Sequence, residues 1–196
     1  MYAKRELTTR GIVVGRRAVG EGSARVFLFT EALGLVSTVA QSAREERSQL
    51  RSHLQWGTRG LFTLVRGKET WRVTGAAHTS NIFFSLRTHS VGHLSAARML
   101  AMIRQLVRGE RADPEVFDSL FLFCEVLPTL SDTFAKEAEV LALFRMLSAL
   151  GYVEPHALLT PFMTPSYDSA LLGAAGKVRP QLVQAINDGK IGRAHV

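Results

Sequence analysis

The sequence predicts an α+β chain: an N-terminal five-stranded β-barrel followed by an all-helical C-terminal domain. Three observations carry this. Short runs with period-two alternation and β-branched residues recur between Thr8 and Thr74. From Ser90 onward the apolar period lengthens to that of a helix. The charge also divides: residues 1–88 hold 14 Lys and Arg against 6 Asp and Glu, a net +8, whereas residues 89–196 hold 10 against 11, a net −1. We place a basic barrel at 1–78 and a helical domain at 79–190, the latter interrupted by an irregular Pro-containing segment at 153–166.

Taken in order, Thr8–Arg17 reads as the first strand, with Gly11 and Gly15 marking a bulge or sharp bend of the kind a small closed barrel needs. Val19–Ser23 is a turn, and Ala24–Thr30 is a strand that places Val26, Leu28 and Thr30 on one face. Leu35–Ala40 is the third strand of a meander. It runs into EERSQLRSHLQ, a polar stretch in which only Leu50 and Leu54 form a helical i, i+4 pair, so it reads as a loop or one helical turn. Arg59–Arg66 and Glu69–Thr74 complete the strands, joined by a tight turn at Gly67-Lys68, with Trp71 and Val73 sharing a face. Five strands with a long connection after the third fit a Greek-key barrel such as an OB-fold, and an SH3-like barrel fits the count equally.

Ala76–Thr88 is ambiguous. Ser90–Arg108 then repeats apolar residues at Leu94, Ala97, Leu100, Ile103 and Val107. Asp113-Pro114 opens a second helix with Phe117, Leu120, Phe121, Cys124 and Leu127 inward, stopped by Pro128. Ser131 or Asp132 caps a third that buries Val140, Leu143, Phe144, Leu147 and Leu150 and stops at Gly151. Arg179–Asn187 is a last short helix. Residues 191–196, IGRAHV, look like the translation of a common sequencing adapter, so the expectation is a non-native tail on a truncated or reduced chain.

Composition narrows the function classes. No apolar run reaches the roughly 18 residues of a membrane span, no secretory signal opens the sequence, and a cytoplasmic, nucleoid-associated location is expected. The single cysteine, Cys124, excludes an internal disulfide and a cysteine-built zinc site, and its place on an apolar helix face makes it a small core residue. Gly20-Glu21-Gly22 lacks the third glycine and the helix of a dinucleotide fingerprint, and Gly67-Lys68 and Gly176-Lys177 lack the rest of a phosphate loop. His89 and His93 stand four apart without an intervening Glu or a third ligand, and read as solvated or capping residues. The first Asp is Asp113, so the basic half has no ready carboxylate pair for a nuclease. No enzyme activity, metal or cofactor is expected.

What remains is basic residues at strand ends and connections: Arg10, Arg16, Arg17, Arg44, Arg47, Arg51, Arg66, Lys68 and Arg72. Collectively they suit a groove that tracks phosphates. Phe62 and Trp71 read first as core and second as surfaces on which a base could stack. A basic barrel gripping an acidic peptide, as an adaptor would, is the alternative.

The blocks RGIVVGRRAVGEGSARVFLFTEALGLVSTVAQSAR, RSQLRSHLQ, LFTLVRGKETWRVTGA and LFRMLSALGYVEP, in that order, resemble the bacterial RecO recombination-mediator family. The resemblance implies an OB-fold followed by a helical domain. It implies a non-catalytic DNA repair function: binding single- and double-stranded DNA, annealing complementary strands, and helping load recombinase onto strands coated with single-stranded DNA-binding protein. It further implies RecR and the acidic C-terminal tail of the single-stranded DNA-binding protein as partners, with DNA contacted by Arg44, Arg47 and Arg51 and with Arg16 and Arg17 nearby. Arg98, Arg104 and Arg108 could receive the acidic tail. Two departures stand out: Gln41-Ser42 occupies the place of a frequent Lys-Gly, and the cysteine zinc motif that many members carry is missing between Val153 and Ser166.

Overall fold

The computed structural model describes residues 6–19, 22–40, 50–68 and 70–191. The chain divides into two compact units, Met1–Ser85 with Leu100–Pro114, and Leu86–Met99 with Glu115–Val196.

In the first unit, strands β1 (Glu6–Val19), β2 (Ser23–Thr30), β3 (Gly34–Ala40), β4 (Thr58–Arg66) and β5 (Trp71–Asn81) close in the order β1-β2-β3-β5-β4. Neighbours are antiparallel except β3 and β5, which run parallel through Thr38 opposite Trp71 and Val39 opposite Arg72. This is an OB-fold barrel, which decides between the two barrels that the strand count allowed. Closure depends on β1 serving two partners. Its first half pairs with β4, from Glu6 opposite Val65 to Ile12 opposite Arg59. Its second half pairs with β2, from Gly11 opposite Thr30 to Val19 opposite Ser23, with the register slipping between Val13 and Gly15. The expected bulge is there, and it lets a single strand bend around the barrel.

Period-two alternation sends Val13, Ala24, Val26, Leu28, Val36, Ala40, Phe62, Leu64, Trp71 and Val73 inward as one core cluster. Burying a side chain the size of Phe62 contributes about 2–3 kcal/mol. The Leu50 and Leu54 pair belongs to the same core: Leu54 donates its N–H to Leu50 O at 3.1 Å and is fully buried, with Leu50 packed beside it. The ambiguous stretch after Thr74 extends β5 to Asn81 and then makes a one-turn helix, α1 (Ile82–Ser85). Asn81 caps that turn by accepting from the N–H of Phe83 at 3.0 Å and of Phe84 at 3.3 Å.

The second unit holds the start of α2 (Ser90–Leu106), then α3 (Pro114–Val126), α4 (Asp132–Ala149), α5 (Ser169–Lys177) and α6 (Arg179–Ile191). Helix α4 is its axis, buried at Ala135, Ala138, Val140, Leu141, Phe144 and Leu147. Ser131 is its N-cap, accepting from the Phe134 N–H. At its other end Gly151 adopts φ +73° and Tyr152 N–H reaches Leu147 O at 2.8 Å, the closing geometry expected of that glycine. Cys124 is fully buried, as its position on α3 implied.

Two expectations are corrected. Of the stripe expected in this stretch Leu100, Ile103 and Val107 are buried, but Ala97 is half-buried and Leu94 is exposed, with Ser95, Ala96 and Met99 buried instead. Ser95 can be buried there because its hydroxyl donates to Glu139 Oε2 at 2.7 Å. Beyond the expected helices, Ser169–Lys177 forms α5, capped by Asp168, which accepts from Leu171 N–H at 2.8 Å. The irregular segment before it contains a single 3-10 turn at Thr160–Met163 and is gathered by the buried Arg145, which donates from Nε to Phe162 O at 2.7 Å and from Nη2 to Ser166 O at 3.0 Å.

Candidate nucleic-acid interface

Since Val26, Leu28, Val36 and Val73 point into the barrel, the residues between them point out. Residues paired directly across strands share a face, and the register therefore builds a row. Arg17 on β1 stands opposite Arg25 on β2, Arg25 opposite Val39 on β3, and Val39 opposite Arg72 on β5. Neighbouring strands lie about 4.8 Å apart. Like charges directly opposite one another, as Arg17 and Arg25 are, cost a sheet up to about 1 kcal/mol. Arg25 Nη1 reaches Ser37 Oγ at 3.4 Å, while its Nε is buried with no hydrogen-bond partner among the described residues.

At one end of the row lies an open groove of about 530 Å³, lined by Arg16, Arg17, Trp56 and Arg104 over a floor that includes Val14 and Ala24. The Arg104 guanidinium sits 4.6 Å from the centre of the Phe27 ring, a cation–π seat. Gly15 makes room for it, since a Cβ there would stand 2.8 Å from Arg104 Nη1. At the other end a second groove of about 360 Å³ is lined by Val39, Arg66, Arg72 and Thr74.

The residues expected to contact DNA divide by what already holds them. Arg10 is paired with Glu31 at 2.7 Å, and that hydrogen bond holds the Glu31 carboxyl below the usual carboxylate range. Arg66 donates to both oxygens of Glu110 and lies over the Trp71 ring. Arg16 is half-buried, and Arg17, Arg51, Lys68 and Arg72 are exposed. Arg44 and Arg47 lie outside the described residues. On α2, Arg98 makes a two-pronged pair with Glu139 that raises its own pKa, whereas Arg104 joins Arg16 and Arg17 at the groove; Arg108, beyond the end of α2, is exposed. Phe62 and Trp71 are core residues and not stacking surfaces: Phe62 is fully buried, and the Trp71 indole N–H donates to Glu110 Oε2 at 3.0 Å.

Sequence reasoning missed Arg25 and Trp56. Arg25 was available from the phase of β2, since it lies between the inward Ala24 and Val26. Trp56 follows no period; it is placed by Asn81, whose Nδ2 donates to Trp56 O at 2.9 Å, and by Gly57, whose N–H donates to Val13 O at 2.8 Å with φ +80°. A Cβ at Gly57 would stand 2.6 Å from the Phe83 ring, so only glycine lets the chain pass there. Elsewhere, His89 caps the start of α2, its Nδ1 accepting from Gly92 N–H at 2.8 Å. Among the described residues no group of three or more His, Cys, Asp or Glu gathers as a metal site would require, and no helix is long and apolar enough to cross a membrane.

Residues 4–81, the whole barrel, match the family model described as "Recombination protein O N terminal". The barrel is thus similar to the N-terminal domain of the RecO family. Curated RecO relatives extend the likeness into the helices. The DNA repair protein RecO of Dehalococcoides mccartyi is 29% identical over 127 residues, covering 65% of this chain and 50% of that protein. The RecO of Acetivibrio thermocellus is 26% identical over 148 residues, 74% of this chain and 57% of its own length, and that of Mannheimia succiniciproducens 29% over 137 residues, 70% and 58%. The chain thus spans little more than half the length of these RecO proteins.

Proposed function

We propose that this chain is a DNA repair and recombination mediator without catalytic chemistry, one that binds single- and double-stranded DNA on the outer face of its barrel and anneals complementary strands. The observation that carries this reading is the row Arg17, Arg25 and Arg72, built by strand register and continuous with a basic groove. Its similarity to relatives named DNA repair proteins supports the same reading. Arg16, Arg51 and Lys68 extend the basic surface.

The physics of annealing is simple. Two single strands repel through their phosphates, and a guanidinium row that neutralises those phosphates while leaving base edges free lowers the barrier to pairing with no bond made or broken. Helping recombinase onto strands coated with single-stranded DNA-binding protein follows as the biological use, with RecR and the acidic tail of that coating protein as partners and the nucleoid as its place of work. Of Arg98, Arg104 and Arg108, Arg108, just beyond α2, is the best placed for an acidic tail, because Arg98 would first have to leave Glu139.

Fluorescence annealing of complementary strands, with and without single-stranded DNA-binding protein, is the test. Replacing Arg17, Arg25 and Arg72 together by Ala should slow annealing and weaken binding, and should flatten the dependence of log K on log salt by about 2–3, at roughly 0.7–0.9 per lost phosphate contact. An unchanged salt slope sinks the assignment to this face. Salt-dependent capture of an acidic peptide, with oligonucleotide failing to compete, would favour an adaptor.

A further inference from the structure

We infer that the groove beside Trp56 is a subsite for one unpaired nucleotide, its base stacked on the Trp56 indole and its phosphates held by Arg17 and Arg104. The inference deepens the nucleic-acid reading above and rests on it. Three features meet within the barrel unit. Trp56 is 40% exposed, yet its backbone is tied by Asn81 and by the Gly57 bond to Val13, and its ring packs on Phe83 with centroids 4.5 Å apart. An exposed aromatic already held in place loses little freedom when a second ring stacks on it. Arg104 is likewise seated, over Phe27 and in the space left by Gly15.

The groove's charge is of one sign. Arg16, Arg17 and Arg104 line it, and no Asp or Glu does among the described residues. Guanidinium groups only donate hydrogen bonds, so the groove calls for an acceptor-rich anion. Gln55, which also lines it, already spends its amide on Arg51 O at 2.9 Å. Its size falls within the roughly 300–1,000 Å³ of small-ligand sites. A planar platform beside paired guanidinium groups matches a base and its flanking phosphates, and every base offers a π-face, so the subsite is indifferent to sequence. A duplex keeps its bases stacked inside and cannot use Trp56. Discrimination between single and double strands therefore resides here, while the arginine row serves both.

The chain has two tryptophans, and Trp71 is only 5% exposed, so acrylamide quenching of the unmodified protein reports on Trp56. A single-stranded oligonucleotide should protect the fluorescence from acrylamide, and duplex DNA or an abasic strand of equal length should not. Trp56→Leu should weaken single-strand binding roughly tenfold, leaving duplex affinity and the salt slope unchanged. Salt-dependent DNA binding with Trp56 equally open to acrylamide, or equal protection by the abasic strand, overturns the subsite and leaves the nucleic-acid reading standing. Absence of any salt-dependent DNA binding removes both. Protection by an acidic peptide but not by an oligonucleotide overturns the subsite in favour of a peptide groove.

Discussion

Beyond Arg10 and Arg66, which are paired with Glu31 and Glu110, the barrel spends arginine differently from the helical unit. In the barrel, Arg17 and Arg25 face each other across two strands and Arg72 continues the line, an arrangement that costs the sheet stability. In the helical unit three guanidinium groups are consumed internally. Arg179 pairs with the buried Glu137 at 2.7 Å, Arg98 pairs with Glu139, and Arg145 is spent on two backbone carbonyls and the Tyr167 ring. Glu139 makes the contrast quantitative in sign. Burial pushes its carboxyl up, but hydrogen bonds from Arg98 and Ser95 outweigh that and hold it below the ordinary value. The lesson is that the same residue type acts as architecture where its charge is answered within the fold, and, under the function proposed above, as a binding surface where strand register lines it up on the outside.

The comparison breaks most sharply at Arg145. Arg145→Ala leaves the carbonyls of Phe162 and Ser166 without their donors and should destabilise the helical unit by about 3 kcal/mol or more, read from the urea midpoint. DNA binding by the barrel should be unaffected; a matching loss of affinity would mean that the two roles of arginine are not separable.

A second, smaller effect comes from the partner of Arg145. Burial raises the Tyr167 hydroxyl to about 12, although Arg145 and Ser119 pull it down. The folded value lies above the unfolded value of about 10. The stability it reflects is therefore complete below pH 10 and is lost as pH rises from there towards 12. Thermal melts across that window should show the loss, and Tyr167→Phe should flatten the profile in that window.

The gentlest probe is Gly15→Ala. Gly15 is not in a left-handed conformation, and the new methyl would meet the end of the flexible Arg104 side chain, so the fold should hold. The guanidinium would shift off its seat over Phe27, and DNA affinity measured by fluorescence anisotropy should fall a few-fold with the melting temperature nearly unchanged. A change in stability without one in binding would return Arg104 to the architectural class.

The barrel was legible because each strand residue has two options, in or out, and composition decides between them: Val26 and Leu28 in, Arg25 out. Its closure was legible from Gly11 and Gly15. The helical unit was harder. In α2 the exposed Leu94 and the buried Ser95 reverse what hydrophobicity alone dictates, because a hydrogen bond donated to Glu139 changes the cost of burying a hydroxyl. Helix α5 hides behind three prolines, although Asp168 with Ser166, joined at 2.6 Å, is a cap that could have announced it. Arg145 carries no local signal, since its partners lie 17 and 21 residues downstream. The basic surface was recognisable as an accumulation of charge. Its ordering into a row is a property of register, which exists only once strands pair.

Register also sets a timetable. The half of β1 from Glu6 to Ile12 is completed by β4, from Arg59 to Val65. During synthesis at about 5–20 residues per second, this segment leaves the ribosome several seconds before its partner does. Through that interval its backbone N–H and C=O groups present an unpaired edge to other nascent chains. A pause engineered between the codons for Ala40 and Thr58 would lengthen that exposure without altering one atom of the finished barrel.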